Sequence, residues 1–250
     1  MVSRFITYSD LPAFHWRWPG LTVQPEASFG PVNIRRSFRL LIPLIIAPGL
    51  LAAAGLPWHW GIARWQKVPV ITIVARDNDA RLSAVREAVD FWNSTLAALP
   101  TPFRLGAVTR VDGAVPEEDL QNLSDSSPQG LWIKQHPTPF AAFGGDLLIV
   151  LSDADFVSFT SRIGDRGLIA IKSASAPPLS LPNVLPNVIA HEIGHALGLP
   201  HNSDPTTLMC GRPAPCRPAS FITNVPRMFP LTSAEVARLR ELYPATWPAQ

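Results

Sequence analysis

Cysteine and patterned charge are both scarce in this sequence, and each shortage narrows the class of protein. Two of the 250 residues are cysteines, Cys210 and Cys216, and such a pair forms either one small disulfide loop or two free thiols. The formal net charge is +2 and no stretch resembles a basic stripe, which excludes nucleic acid as a partner. The sequence has no internal repeat. Hydrophobic residues make up 47%, so the chain can bury a core and wholesale disorder is excluded.

Charged side chains are missing from the run 40–63, which directly follows a cluster of three arginines. A basic start, an apolar run and a small-residue pattern at 52–54 are together typical of a signal peptide, and the run is long enough for a membrane anchor. Its prolines argue against the alternative, a buried helix of a soluble core. We therefore predict that residues 34–63 are a signal peptide or anchor. The protein would be exported, either secreted or periplasmic, or held in the membrane through residues 40–60 with its catalytic domain outside the cytoplasm.

Residues 1–33 carry no clear period and are predicted to be irregular. Because a signal peptide normally stands at the start of a chain, we hypothesise that translation begins at Val32. Residues 1–31 would then not be translated, and N-terminal sequencing of the native protein tests this.

Hydrophobic periodicity predicts one α/β domain over residues 66–247. Apolar residues recur at three- and four-residue steps from Leu82 to Leu99, which predicts a long amphipathic helix. A second helix is predicted from about Asn187 to Leu197, and a capping box at Thr232 and Glu235 predicts the start of a last one. The predicted strands cover residues 68–76, 103–111, 146–153 and 167–173, and residues 112–140 are predicted to be a loop.

The stretch "HEIGHALGLPH" holds three of the six histidines. His191 and His195 are four residues apart on a predicted helix, so both project from one face and can bind one metal ion. Glu192 is rotated off that face and can reach a water on the metal instead. Gly198 can take the positive φ that ends a helix, which lets His201 return to the same ion. Three neutral imidazoles leave one position open, as in a catalytic zinc site.

A lone histidine in such a helix would more often be a buried core residue. The whole pattern, His-Glu-x-x-His-x-x-Gly-x-x-His, is far more specific, since it occurs by chance about once in 10⁵ chains of this length. Together with the following "NSDPTTLM", it resembles the metzincin metallopeptidases, and within them the matrixin (matrix metalloproteinase-like) family of bacterial type. The matrixin pattern continues here through Ser203, Asp204 and Pro205 to the pair Leu208 and Met209.

The resemblance implies a metzincin or zincin-like α/β (α+β) catalytic domain. Such a domain has a mixed twisted sheet, a long N-terminal helix, an active-site helix and a C-terminal helix. Met209 would pack beneath the zinc as its hydrophobic base. The implied cofactor is one catalytic Zn²⁺ ion bound by His191, His195 and His201.

The implied activity is that of an exported zinc endopeptidase acting on a protein or peptide substrate. Zinc would activate a water, and Glu192 would take a proton from it and later deliver it to the leaving amine. Two alternatives stay open: a non-catalytic zinc-binding protein of the cell surface with the same fold, and a structural zinc module. The presence of Glu192 counts against the first, and a set of only three good ligands counts against the second.

The sequence also departs from the matrixin pattern. A second, structural zinc site is not found, because the remaining histidines lie far apart without ligand spacing. Calcium is a candidate second ion, although no complete calcium loop is present. The remaining histidines are His15, His59 and His136. The acidic residues considered for calcium are Asp146, Asp153 and Asp155.

Further departures lie around the cysteines. No cysteine precedes Cys210, so latency through a propeptide cysteine is not expected. We expect a disulfide between Cys210 and Cys216, which an exported setting permits. The loop from Cys210 to Pro230 is longer than the matrixin equivalent, so the substrate preference of the family is not carried over. The strand "GLIAI" is hypothesised to be the exposed edge that pairs with an extended substrate.

Overall fold

The computed structural model describes residues 64–126, 140–163, 165–175, 178–211, 216 and 227–248. The predicted signal or anchor segment lies outside these residues, as do His15, His59 and His136. Export therefore stays a prediction. Within the described ranges, no helix is both long and apolar enough to cross a membrane.

The described part of the chain contains one five-stranded sheet. Its strands are β1 (Ile71–Val74), β2 (Val108–Val111), β3 (Leu147–Leu151), β4 (Phe159–Ile163) and β5 (Arg166–Ile171). They lie in the order β2-β1-β3-β5-β4, in which β4 is antiparallel to β5 and all other pairs are parallel. The three central strands consist almost entirely of buried apolar residues, as expected for a sheet covered on both faces.

The hypothesis that "GLIAI" is an exposed edge is wrong. This segment belongs to β5, which lies between β3 and β4. The outer position belongs to β4, which pairs with β5 from Phe159 opposite Ala170 to Ile163 opposite Arg166. The sequence of β4, "FTSRI", has no continuous apolar run, so hydrophobicity did not distinguish it from a loop.

Four helices occur in the described part of the chain. They are α1 (Leu82–Ala97), α2 (Glu117–Ser126), α3 (Leu185–Ala196) and α4 (Ser233–Leu242). The predicted long helix, motif helix and C-terminal helix are confirmed as α1, α3 and α4. The capping box of α4 is also confirmed, because the Thr232 side chain accepts from the N–H of Glu235 and the Glu235 carboxylate accepts from the N–H of Thr232.

The prediction of a loop over residues 112–140 is wrong where α2 forms. The first turn of α2 carries three acidic residues, which suit the positive end of a helix dipole. Leu120 and Leu123 of α2 are buried against one face of the sheet, in a cluster with Leu148 and Val150 of β3. Helices α1 and α3 cover the opposite face. The predicted α/β class, with a mixed sheet and these three helices, is confirmed.

Candidate metal centre

Helix α3 holds the motif rigidly because the residues around the motif are apolar. Ile189 and Ala190 are fully buried, and the indole N–H of Trp92 on α1 donates to the carbonyl oxygen of Ala190 at 2.8 Å. The opposite side of α3 presents His191 and His195, one turn apart. Their Nε2 atoms lie 3.1 Å from each other.

The chain leaves α3 through Gly198, whose φ is 93°. Residues with a Cβ resist this left-handed conformation. The N–H of Leu199 then donates to the carbonyl oxygen of Gly194 at 3.0 Å, and the chain reverses. The reversal brings Nε2 of His201 to 3.2 Å from Nε2 of His191. The three imidazoles therefore converge, with one ring nitrogen from each lying within 4.8 Å of the others.

The hydrogen bonds of two imidazoles define their tautomers. Nδ1 of His191 lies 2.8 Å from the carbonyl oxygen of Leu208, and Nδ1 of His195 lies 2.7 Å from that of Leu199. A carbonyl oxygen only accepts, so each Nδ1 carries the proton and each Nε2 presents a lone pair. Burial lowers the pKa of His195 to about 4, so this imidazole is neutral at pH 7.

The converging nitrogens fit a zinc ion. Two lone pairs facing each other at 3.1 Å repel unless a cation lies between them. Two imidazoles that bind one tetrahedral zinc at about 2.0–2.1 Å have nitrogens about 3.3 Å apart. The observed separations of 3.1 and 3.2 Å are close to this value. The chain can therefore bind zinc through His191, His195 and His201.

The centre is open on one side. His191 is buried, His195 is half-buried and His201 is exposed, so solvent reaches the centre beside His201. Within the described part of the chain, the group contains no fourth His, Cys, Asp or Glu. One coordination position would thus remain for water or substrate, which is typical of catalytic rather than structural zinc sites.

Met209 lies directly beneath α3 and is fully buried. A Cβ built at Gly194 would come within 3.0 Å of the Met209 Cε atom, so the methionine side chain touches the middle of the helix. The preceding residue, Leu208, supplies the carbonyl oxygen that holds His191. The N–H of Asn202 donates to the carbonyl oxygen of Met209 at 2.9 Å, which ties this turn to the segment of the third histidine.

Glu192 follows His191 on α3, and it is buried, with 7% exposed. Its Oε2 accepts a hydrogen bond from Oγ1 of Thr160 on β4 at 2.7 Å. Burial raises the pKa of Glu192 to about 7, and the bond from Thr160 opposes this rise. A carboxyl group with this pKa can both hold and release a proton near neutral pH. The contact of Thr160 could not be predicted from the sequence, because no local pattern links it to a partner 32 residues away.

Cys210 and Cys216 are joined by a disulfide. Cys210 is buried and forms an isolated bridge with Asn202, next to the third histidine. Gly211 follows and lies against the imidazole ring of His201. The loop that the disulfide closes therefore begins at the metal centre.

Calcium at the acidic positions is not supported. Each of these carboxylates lies in an ion pair, and within the described residues the three histidines are the group that could hold a metal ion. The pairs are Asp146 with Lys67, Asp153 with Arg76 and Arg81, and Asp155 with Lys172.

The fold and the centre define a class of protein: an α/β chain with three converging histidines, an open side and a buried carboxyl group on the same helix. The sequence model of one protein family, described as matrixin, matches residues 156–243, which contain β4, β5, α3, the three histidines and α4. This match supports a metzincin-like zinc peptidase in general, whereas the bacterial matrixin type stays a prediction.

Among solved structures, the archaemetzincin of Methanopyrus kandleri is similar to this chain at 16% identity. The similarity covers 69% of this chain and 94% of that chain, with a TM-score of 0.41. No curated protein matches the sequence.

Proposed function

We propose that the protein is a zinc-dependent endopeptidase that hydrolyses peptide bonds in proteins or peptides. The observation that carries this proposal is the convergence of three imidazole groups, two from α3 and one from the turn after it, beside the buried carboxyl group of Glu192 on α3. His191, His195 and His201 would hold one zinc ion, and Glu192 would act as the general base. The matrixin match over the same residues supports the assignment.

Bound zinc would supply a Lewis acid beside the attacking water and the scissile carbonyl group. The remaining steps belong to residues of this chain. Glu192 takes a proton from the attacking water and delivers it to the leaving amine. Its burial keeps bulk water from competing for that proton, and Thr160 holds one of its oxygens.

We propose that the substrate binds as an extended strand along β4. This strand lies at the end of the sheet and packs against α3. Such an edge can bind peptides of many sequences, because main-chain hydrogen bonds do not depend on the side chains of the peptide. A peptide on this edge would run past α3, the helix that carries His191 and His195.

Export is also part of the proposal. The basic and apolar pattern of residues 34–63 supports it, and so does the disulfide between Cys210 and Cys216, since disulfides persist mainly in oxidising compartments. Cell fractionation with N-terminal sequencing of the native protein tests it. Recovery of the intact chain from the cytoplasm would contradict export, and recovery of residues 1–31 would contradict a start at Val32.

The activity is tested with the full-length protein loaded with zinc and a peptide library. Wild type should cleave peptides, and a chelator should abolish cleavage. Glu192→Gln should keep its zinc but lose about 10²- to 10⁴-fold in kcat, the usual contribution of a general base. Cleavage by this variant at the wild-type rate would contradict the role of Glu192. A zinc-loaded wild type that cleaves nothing would favour the non-catalytic zinc protein instead.

A further inference from the structure

Thr160 contacts Glu192 at two points, although it lies on a different element. Its Oγ1 is 2.7 Å from Oε2 of Glu192 and 2.8 Å from the main-chain carbonyl oxygen of the same residue. Thr160 belongs to β4 and stands opposite Ile169 of β5. The central part of the sheet therefore holds the threonine in place, and β4 packs directly on α3.

The hydroxyl group has one proton, so the two contacts share it, and together they restrict the glutamate side chain. A glutamate side chain has three rotatable bonds, and a carboxylate fixed at one oxygen loses most of that freedom. One hydroxyl group here lies between the carboxyl end of the side chain and the main chain at its base. Thr160 itself is half-buried and β-branched, so it has few rotamers of its own.

We propose that Thr160 is a positioning residue: its hydroxyl group holds Oε2 of Glu192 and leaves Oε1 to meet the reacting water. This inference rests on the proposed function, because the general base is the group that Thr160 orients. In this proposal the hydroxyl group of Thr160 touches neither substrate nor metal. It acts only through Glu192, because it restricts the glutamate carboxylate to a single orientation.

Two variants separate the hydroxyl group from the shape of the side chain. Thr160→Val removes the hydroxyl at almost constant volume, whereas Thr160→Ser keeps it. Thr95→Val is the matched control, because it makes the same change at another half-buried threonine, on α1, whose hydroxyl group donates to the carbonyl oxygen of Phe91 at 2.9 Å. Zinc content and thermal unfolding are recorded for every variant.

In Thr160→Val, kcat should fall about ten- to a hundredfold with KM within about twofold, since a hydrogen bond to a charged group has this worth. Thr160→Ser and Thr95→Val should stay within about threefold of wild type. All three variants should retain their zinc. A wild-type kcat in Thr160→Val would overturn the proposal, and so would a Thr160→Ser variant as slow as Thr160→Val.

A second measurement does not depend on turnover. Acetohydroxamate, a small metal chelator, should bind the cobalt-loaded protein and change its visible absorption, and a correctly placed carboxylate would accept a hydrogen bond from its hydroxyl group. In the wild-type background, Thr160→Val should weaken the binding of acetohydroxamate about tenfold. In a Glu192→Ala background, the same substitution should change the binding by no more than about twofold. Equal losses in both backgrounds would overturn the proposal. A chain that binds hydroxamate with this coupling but cleaves no peptide would refute the proposed function alone.

Discussion

The side chain of Met209 packs directly against the Cα atom of Gly194, on the helix that carries His191 and His195. A Cβ built at Gly194 would lie 3.0 Å from Met209 Cε and 3.1 Å from Trp92 Cζ2, and closer still to the methionine sulfur. Met209 and Trp92 are both fully buried, so neither can move without disturbing the core. The missing side chain at Gly194 therefore sets the spacing between α3 and the turn that orients His191 through Leu208.

Gly194→Ala should consequently weaken both the fold and the metal centre. Overpacking of a core costs about 1–3 kcal/mol, and the better helix propensity of alanine offsets about 1 kcal/mol of this. We expect the free energy of unfolding without zinc to fall by roughly 1 kcal/mol, and zinc affinity to fall about tenfold because Leu208 moves away from His191. Urea denaturation and competition with a chromophoric chelator measure these. Gly144→Ala, where a Cβ meets nothing within 4 Å, should change neither.

Gly211→Ala should affect zinc binding without affecting the core. A Cβ at Gly211 would collide with the Cγ atom of His201, the ring atom that is bonded to the Cβ of the histidine. The side chain of His201 would have to rotate about its Cα–Cβ bond, which would move its Nε2 atom away from Nε2 of His191. Because His201 is exposed, the turn should cost little stability. We expect a ten- to hundredfold loss of zinc affinity, roughly the effect of disturbing a ligand's support, at nearly unchanged urea midpoint. Wild-type affinity would contradict the contact.

The metal centre could be predicted from sequence where its geometry is local. His191 and His195 lie on one face because a helix repeats every 3.6 residues, and Gly198 ends the helix because it tolerates positive φ. Both features depend on residues within one turn of each other. The same holds for the amphipathic pattern of α1 and for the capping box of α4.

The contacts that the sequence did not reveal are all long-range. Thr160 meets Glu192 only after β4 has paired with β5 and packed on α3. The outer position of β4 depends on the order of the strands, which hydrophobicity does not encode. Helix α2 lacks a long apolar stripe, and its burial of Leu120 depends on the sheet face it covers. A pattern confined to neighbouring residues cannot contain such relationships.

Glu235 should stabilise the metal segment as well as its own helix. Its carboxylate accepts from the N–H of Thr232 and also from the side-chain amide of Asn202, next to the third histidine. Glu235→Ala should lower the free energy of unfolding by about 2–3 kcal/mol, since it removes a cap and leaves the partly buried amide of Asn202 with only its bond to Thr207. Thr232→Ala removes only the cap and should cost about 1 kcal/mol. Equal losses in the two variants, measured by urea denaturation, would show that the contact with Asn202 has no energetic weight.

In the zinc-free protein, ionisation of Glu192 should lower the free energy of unfolding as the pH rises. Burial raises the pKa of this residue from 4.5 to about 7, so the folded chain binds its proton more tightly than the unfolded chain does. The stability it contributes is complete below about pH 4.5 and is lost as the pH rises to about 7, a change of about 3 kcal/mol. Glu192→Gln lacks this pH dependence, because a glutamine side chain does not titrate.

The difference in free energy of unfolding between Glu192→Gln and wild type should therefore grow by about 3 kcal/mol from pH 4.5 to 7 and then level off. His195, whose pKa burial lowers to about 4, loses stability in the opposite direction as the pH falls. Its contribution is common to both proteins, so it cancels in the difference. Urea denaturation across this range in the presence of chelator measures the effect, with the exposed Glu87→Gln as the control. A difference that stays constant with pH would mean that Glu192 is solvated in the zinc-free protein, because only a buried carboxylate resists ionisation in this way.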